Sequence, residues 1–140
     1  MNDTPEREQA ASGHESALYA YLVNGFRNVS DTLDEKYSTL RVDPLLAELA
    51  ARVASDPESD DVRQALLYAL NSREVSGAGE TVQYFGHRFK LNWLRAEVDK
   101  RYRDATAKVD LRRARYYELM LEAFSDGWED RDFFPSLDHP

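Results

Sequence analysis

No cysteine occurs among the 140 residues. That absence removes disulfide staples, thiolate zinc sites, iron–sulfur clusters and cysteine nucleophiles together, and it fits a reducing compartment. Long apolar runs are also missing. Stretches such as Leu18 to Val23 cover only a few residues, against the roughly 20 that a membrane-spanning helix needs. The polar N-terminus, Met1 to Gly13, carries Glu6, Arg7 and Glu8 and has no apolar segment of the signal-peptide kind. Together these absences predict a cytoplasmic protein without a membrane partner.

Scarce histidine and glycine limit the chemistry further. His14, His87 and His139 stand too far apart for any two to share a helix face, and neither Glu-x-x-His nor His-Glu-x-x-His occurs. No metal site and no cofactor is expected from them. Gly77-Ala78-Gly79 lacks the third glycine and the lysine of a phosphate-binding loop, so it reads as a turn. There is no nucleophile elbow and no Ser-x-x-Lys pair. Carboxylate pairs such as Asp34-Glu35, Asp60-Asp61 and Glu129-Asp130 fall at expected caps and exposed turns, so they are expected to serve as solvated charge and helix caps rather than in acid–base work. The expectation leans away from an enzyme.

What is present is helical periodicity. Leu18, Tyr21, Leu22, Gly25 and Val29 predict a first helix over 14–28. Ser30-Asp31-Thr32 then offers N-cap residues for a short second helix over 31–40, with Leu33, Tyr37 and Leu40 as its stripe. Asp43-Pro44 reads as N-cap and first helical residue of a third helix, 44–55. Asp56-Pro57 ends it. Ser59-Asp60-Asp61 caps a fourth, 60–73, carrying Val62, Leu66, Ala69 and Leu70. Phe85, Phe89 and Trp93, with Leu94, Val98 and Tyr102, place one long helix over 80–107, in which Gly86 marks a kink or a close approach. Thr81 to Phe85 also admits a strand. Asp110 caps a last helix over 111–125, with Leu111, Ala114, Tyr117, Leu121 and Phe124 inward. The architecture expected is a compact all-α bundle of five to six helices with an extended aromatic C-terminal tail. It forms one domain over 14–140 behind a disordered leader, 1–13.

Charge is uneven. The chain carries 26 acids against 18 basic residues, a net −8. From Arg88 to Arg115 the balance reverses to ten Lys/Arg against four Asp/Glu, or +6, so the rest of the chain holds −14. Arg88, Arg95, Lys100, Arg103, Arg112, Arg113 and Arg115 in that stretch are candidate phosphate contacts, with Trp93, Tyr102, Tyr116 and Tyr117 interleaved. The competing expectation is that these aromatics are core. The basic side chains would then face the acidic helices of their own fold or form surface pairs such as Arg95–Asp99.

The second feature is the tail. Trp128, Phe133, Phe134 and Leu137 stand among Asp126, Glu129, Asp130 and Asp132. Either the apolar residues fold back as a lid, or they dock on another chain, since aromatic anchors inside a polar rim are what protein interfaces use. The leading functional expectation is a non-enzymatic protein-binding module of the inhibitor, immunity or anti-defence type. Its contact residues are Trp128, Glu129, Asp130, Asp132, Phe133, Phe134 and Leu137, and its partner is a protein or a second copy in a homodimer. Nucleic-acid binding through 88–115 is the alternative. A third reading comes from Arg7 and His14, whose spacing resembles the arginine, four to six residues, histidine motif of HEPN-type helical ribonucleases. That resemblance implies a helical ribonuclease, although the family sets the motif on a helix inside the bundle and here it spans the polar leader.

Overall fold

Two side-chain caps start helices where the sequence places them. Ser59 Oγ accepts from Val62 N–H at 3.3 Å, and Asp110 Oδ1 accepts from Arg113 N–H at 3.2 Å, each satisfying an amide that the first turn leaves unpaired. A computed structural model describes residues 3–72 and 77–138, with side chains from residue 17 onward. The leader expected over 1–13, the Arg7–His14 pair and His139 therefore lie outside the described side chains. The elements are α1 (Asp3–Lys36), α2 (Thr39–Val53), α3 (Asp60–Asn71), α4 (Ala78–Phe89), α5 (Asn92–Ala107) and α6 (Leu111–Glu122). Two short 3-10 turns follow, Glu129–Phe133 and Pro135–Leu137. The described residues form an all-α bundle of six helices without strands, and Thr81–Phe85 is helical.

Three boundaries differ from the periodicity reading, each for a tertiary reason. The helix expected over 14–28 runs on to Lys36 and takes in most of 31–40, whose last residues, Thr39 and Leu40, begin α2 instead. Ser30 does not cap its own helix; it is buried, and its Oγ accepts from Gly77 N–H at 2.8 Å across 47 residues. Next, α2 starts five residues before Pro44, which sits inside the helix. Proline removes the N–H that would reach the Leu40 carbonyl. The extra turn persists because Val42 is buried in the core and Asp43 is bonded to the tail. Finally, the long helix over 80–107 is broken. Lys90 takes left-handed backbone at φ 50°, and Leu91 turns into the core with 1% exposure. Gly86 marks a close approach: a Cβ there would lie 2.6 Å from Phe124 Cζ.

Cross-helix contacts give the directions. α1 and α2 are antiparallel, with Leu49 packed on Gly25 and the Arg52 guanidinium 5.5 Å above the Tyr21 ring. α3 runs parallel to α1, since Arg27 meets Tyr68 while Ser30 meets Gly77 just beyond the end of α3. α5 runs the same way, since Arg63 lies 4.8 Å over Trp93 and Arg101 reaches the Leu70 carbonyl and Asn71 Oδ1 at the end of α3. Ser30 thus stands level with the start of α4 at Gly77, and Arg101 with the end of α3 at Asn71. α1 continues six residues past Ser30 and α5 six past Arg101. At 1.5 Å per residue, both hairpins project roughly 9 Å beyond those levels.

The core is continuous from Leu22 and Phe26 through Leu46, Leu66, Val82 and Phe85 to Leu94 and Met120. The tail completes it. Trp128 and Phe134 are buried and stacked at 5.6 Å. Phe134 meets Tyr84 edge-on at 5.8 Å, and Trp128 lies 5.2 Å from the His87 ring. The chain thereby returns along α4 and against α2, and the apolar tail residues serve mainly as a lid.

Candidate functional site

The tail is held by polar atoms as well as by packing. Asp43, 4% exposed, accepts from the Ser136 hydroxyl at 2.7 Å and from Ser136 N–H at 3.2 Å. The Tyr84 hydroxyl lies 2.7 Å from Ser136 Oγ. Burying a carboxylate costs free energy unless donors replace its water, and Ser136 supplies two of them. Sequence analysis did not single out Tyr84 or Ser136, and it read Asp43 as a helix cap rather than as a partner of the tail. No local signal marks them, because Ser136 is 93 residues from Asp43. A hydroxyl between a carboxylate and a phenol can suggest an activated nucleophile. Among the described residues no imidazole joins them, and the same carboxylate accepts from the Ser136 amide, so the described contacts are those of a clamp.

Of the seven tail residues expected at an interface, the fold takes Trp128 and Phe134 inside and packs Leu137 partly against the core. Glu129, Asp130, Asp132 and Phe133 stay outside. Phe133 is 51% exposed, and the three carboxylates around it have no ion-pair partner among the described residues. Arg131 pairs with Asp138 at 3.5 Å. What remains is a single aromatic side chain in an acidic rim, on a backbone fixed by its buried neighbours.

The basic stretch also resolves. Arg95, Lys100, Arg103, Arg112, Arg113 and Arg115 are exposed and Arg88 is half-buried, its guanidinium 5.3 Å over Phe89. No described ion pair joins these seven to the acidic helices. Asp99 pairs with Arg103 at 2.8 Å rather than with Arg95, Asp110 with Arg113 at 3.7 Å, and Glu118 with Arg115 at 2.7 Å, all within one helix or its cap. Arg95, Lys100 and Arg112 have no ion pair among the described residues. Arg101 is the exception that crosses helices. Burial opposes its charge, but hydrogen bonds to Glu97 and Tyr117 more than offset this and raise its pKa. Of the interleaved aromatics, Tyr117 is buried, Trp93 and Tyr102 pack partly on the core, and only Tyr116 is notably exposed.

His87, in α4, is the one histidine whose side chain is described. Its Nδ1–H donates to the Ala123 carbonyl at 2.8 Å. Burial holds its pKa below 6.5 and Lys90 and Arg131 add to that, while the Ala123 bond and Asp126 work the other way. No described carboxylate is hydrogen-bonded to the ring. Among the described residues no group of three His, Asp or Glu is placed to hold a metal ion, and no helix is long and apolar enough to cross a membrane. A groove along α1 and α2 is lined by Tyr21, Asn24, Glu48 and Leu49, another between α5 and α6 by Arg101, Lys108, Arg113 and Tyr117. Neither contains a histidine.

Sequence analysis missed a further set of exposed apolar residues. Leu111, Leu40 and Tyr37 were assigned to inward stripes, yet they are 71%, 52% and 88% exposed, alongside Val109 at 74%. All four sit at the α1–α2 and α5–α6 turns, beyond the level of the end of α3 and the start of α4 among the described residues. No family model, curated protein or solved structure matches this chain.

Proposed function

We propose that this protein is a non-enzymatic binding module that docks a partner protein through Phe133 and its acidic rim, Glu129, Asp130 and Asp132. The observation that carries this reading is the division of labour within the tail. Trp128, Phe134 and the Asp43–Ser136 clamp fix the backbone, while Phe133 between them points outward among unpaired carboxylates. A fixed aromatic anchor loses little conformational freedom on binding, and the carboxylates favour a partner with a basic surface and speed its approach. An inhibitor or immunity role against a basic, nucleic-acid-handling protein fits this surface. The test is capture from native host lysate with nuclease present, comparing the natural chain with Phe133→Ala and with Asp130→Lys/Asp132→Lys. A stoichiometric protein retained by the natural chain and lost by both variants supports the reading. Capture unchanged in all three overturns it.

A second reading is nucleic-acid binding by α5 and α6, favoured by the outward orientation of Arg95, Lys100 and Arg112. It requires binding to DNA or RNA that weakens steeply with salt. The in-helix pairs that neutralise Arg103, Arg113 and Arg115 count against it.

A further inference from the structure

The α5–α6 tip is a second surface that the bundle does not use. Val109 and Leu111 flank Asp110 there, both more than 70% exposed. Val109 sits at φ 57°, left-handed backbone that a β-branched side chain rarely adopts. The turn therefore displays an aliphatic residue where the fold alone would favour glycine. From Arg103 to Arg115 stand five basic side chains against Asp104 and Asp110, a local +3 within a chain of −8. Such a tip repels its own kind and seeks an acidic, partly apolar surface. The same molecule carries one. From Asp126 to Asp138, five carboxylates against Arg131 give −4 around exposed Phe133.

We propose that the α5–α6 tip of one copy docks on the Phe133 patch of a second copy. Val109 and Leu111 seat against Phe133, while Arg112 and Arg113 face Glu129, Asp130 and Asp132. The inference rests on the patch being a protein-docking surface and names its partner. Tip and patch lie at different heights on one molecule. The tip projects past the start of α4, whereas Phe133 adjoins Phe134, which packs on Tyr84 nearly two turns into α4. Two copies side by side and antiparallel can make both contacts at once, which closes the pair by two-fold symmetry.

The experiment is sedimentation equilibrium of the full chain from micromolar to millimolar concentration. The expected mass moves from 16.1 kDa to a plateau at twice that value, and added salt weakens the association. Arg112→Glu/Arg113→Glu and Asp130→Lys/Asp132→Lys should each weaken self-association about tenfold. Mixing the two variants should restore the pair, since each reversed surface then meets its complement. All substituted residues are exposed, so unchanged melting temperatures establish that the folds are intact. A chain that stays at 16.1 kDa throughout, a mass that climbs without plateau, or charge variants that pair as tightly as the natural chain would each overturn the proposal. Co-sedimentation of a monomeric chain with phosphatidylserine vesicles would reassign the tip to a lipid surface. The patch reading fails separately, through unchanged lysate capture by the Phe133→Ala chain.

Discussion

Replacing Asp43 with alanine tests whether the clamp holds the tail. The substitution removes the acceptor for the Ser136 hydroxyl and amide. Hydrogen bonds to a charged group contribute about 1.5–3 kcal/mol each. Ser136 is only half-buried, so water can take over part of the loss, and the low end applies, about 2–4 kcal/mol in total. With an unfolding entropy of ~2.1 cal/mol/K per residue over 140 residues, the melting temperature should fall by about 7–14 °C. Asp43→Asn, which keeps the shape and one carbonyl acceptor, should lose roughly half as much. Ser136→Ala retains the amide donor and should also cost less. Combining it with Asp43→Ala should reveal a coupling of about 1 kcal/mol or more. Urea unfolding gives the energies, and amide exchange at residues 134–138 shows whether the tail opens before the bundle. A loss below about 0.5 kcal/mol for Asp43→Ala, with tail amides still protected, would refute the clamp and leave packing as the whole explanation.

Three further outcomes follow from the same structure. Phe134→Ala should cost about 3–5 kcal/mol whereas Phe133→Ala should stay within about 1 kcal/mol, as read from urea midpoints; equal costs would mean that both rings belong to the core. Val109→Gly should stabilise by about 1 kcal/mol, since left-handed backbone penalises a side chain by about 1–2 kcal/mol and glycine's entropy cost offsets part of that gain; a lower melting temperature would show that Val109 packs within its own fold. Glu80 begins α4 half-buried, and burial raises its pKa above 4.5 against a smaller lowering by its own backbone N–H. A raised carboxyl contributes stability below the unfolded pKa and loses it as pH rises through the folded one. Glu80→Gln should therefore raise the urea midpoint at pH 7 and leave it unchanged at pH 4, and a fall at pH 7 would contradict the assignment.

The helical class was legible because Leu22, Leu46, Leu66 and Leu94 sit on stripes whose period needs no tertiary knowledge. The caps at Ser59 and Asp110 were legible for the same local reason. The failures arise where a residue's partner is distant in sequence. Ser30 has every property of an N-cap and binds Gly77 instead. Asp43-Pro44 has the form of a helix start, but Asp43 is committed to Ser136. The break at Lys90 carries no glycine, proline or asparagine, because burial of Leu91 decides it. Of the candidate site, composition located the acidic tail and the basic stretch. Which aromatic stays outside depends on the α2–α4 face, which the tail's own pattern does not encode.

The 93-residue separation between Asp43 and Ser136 also bears on how the chain is made. At roughly 5–20 residues per second, the ribosome adds the clamp's second half about 5–20 s after the first. Until then the Asp43 carboxylate lacks its Ser136 donors, and the face that α2 forms with α4, once α4 has been made, lacks Trp128 and Phe134. A nascent chain that already has its helices thus still displays an uncovered apolar strip.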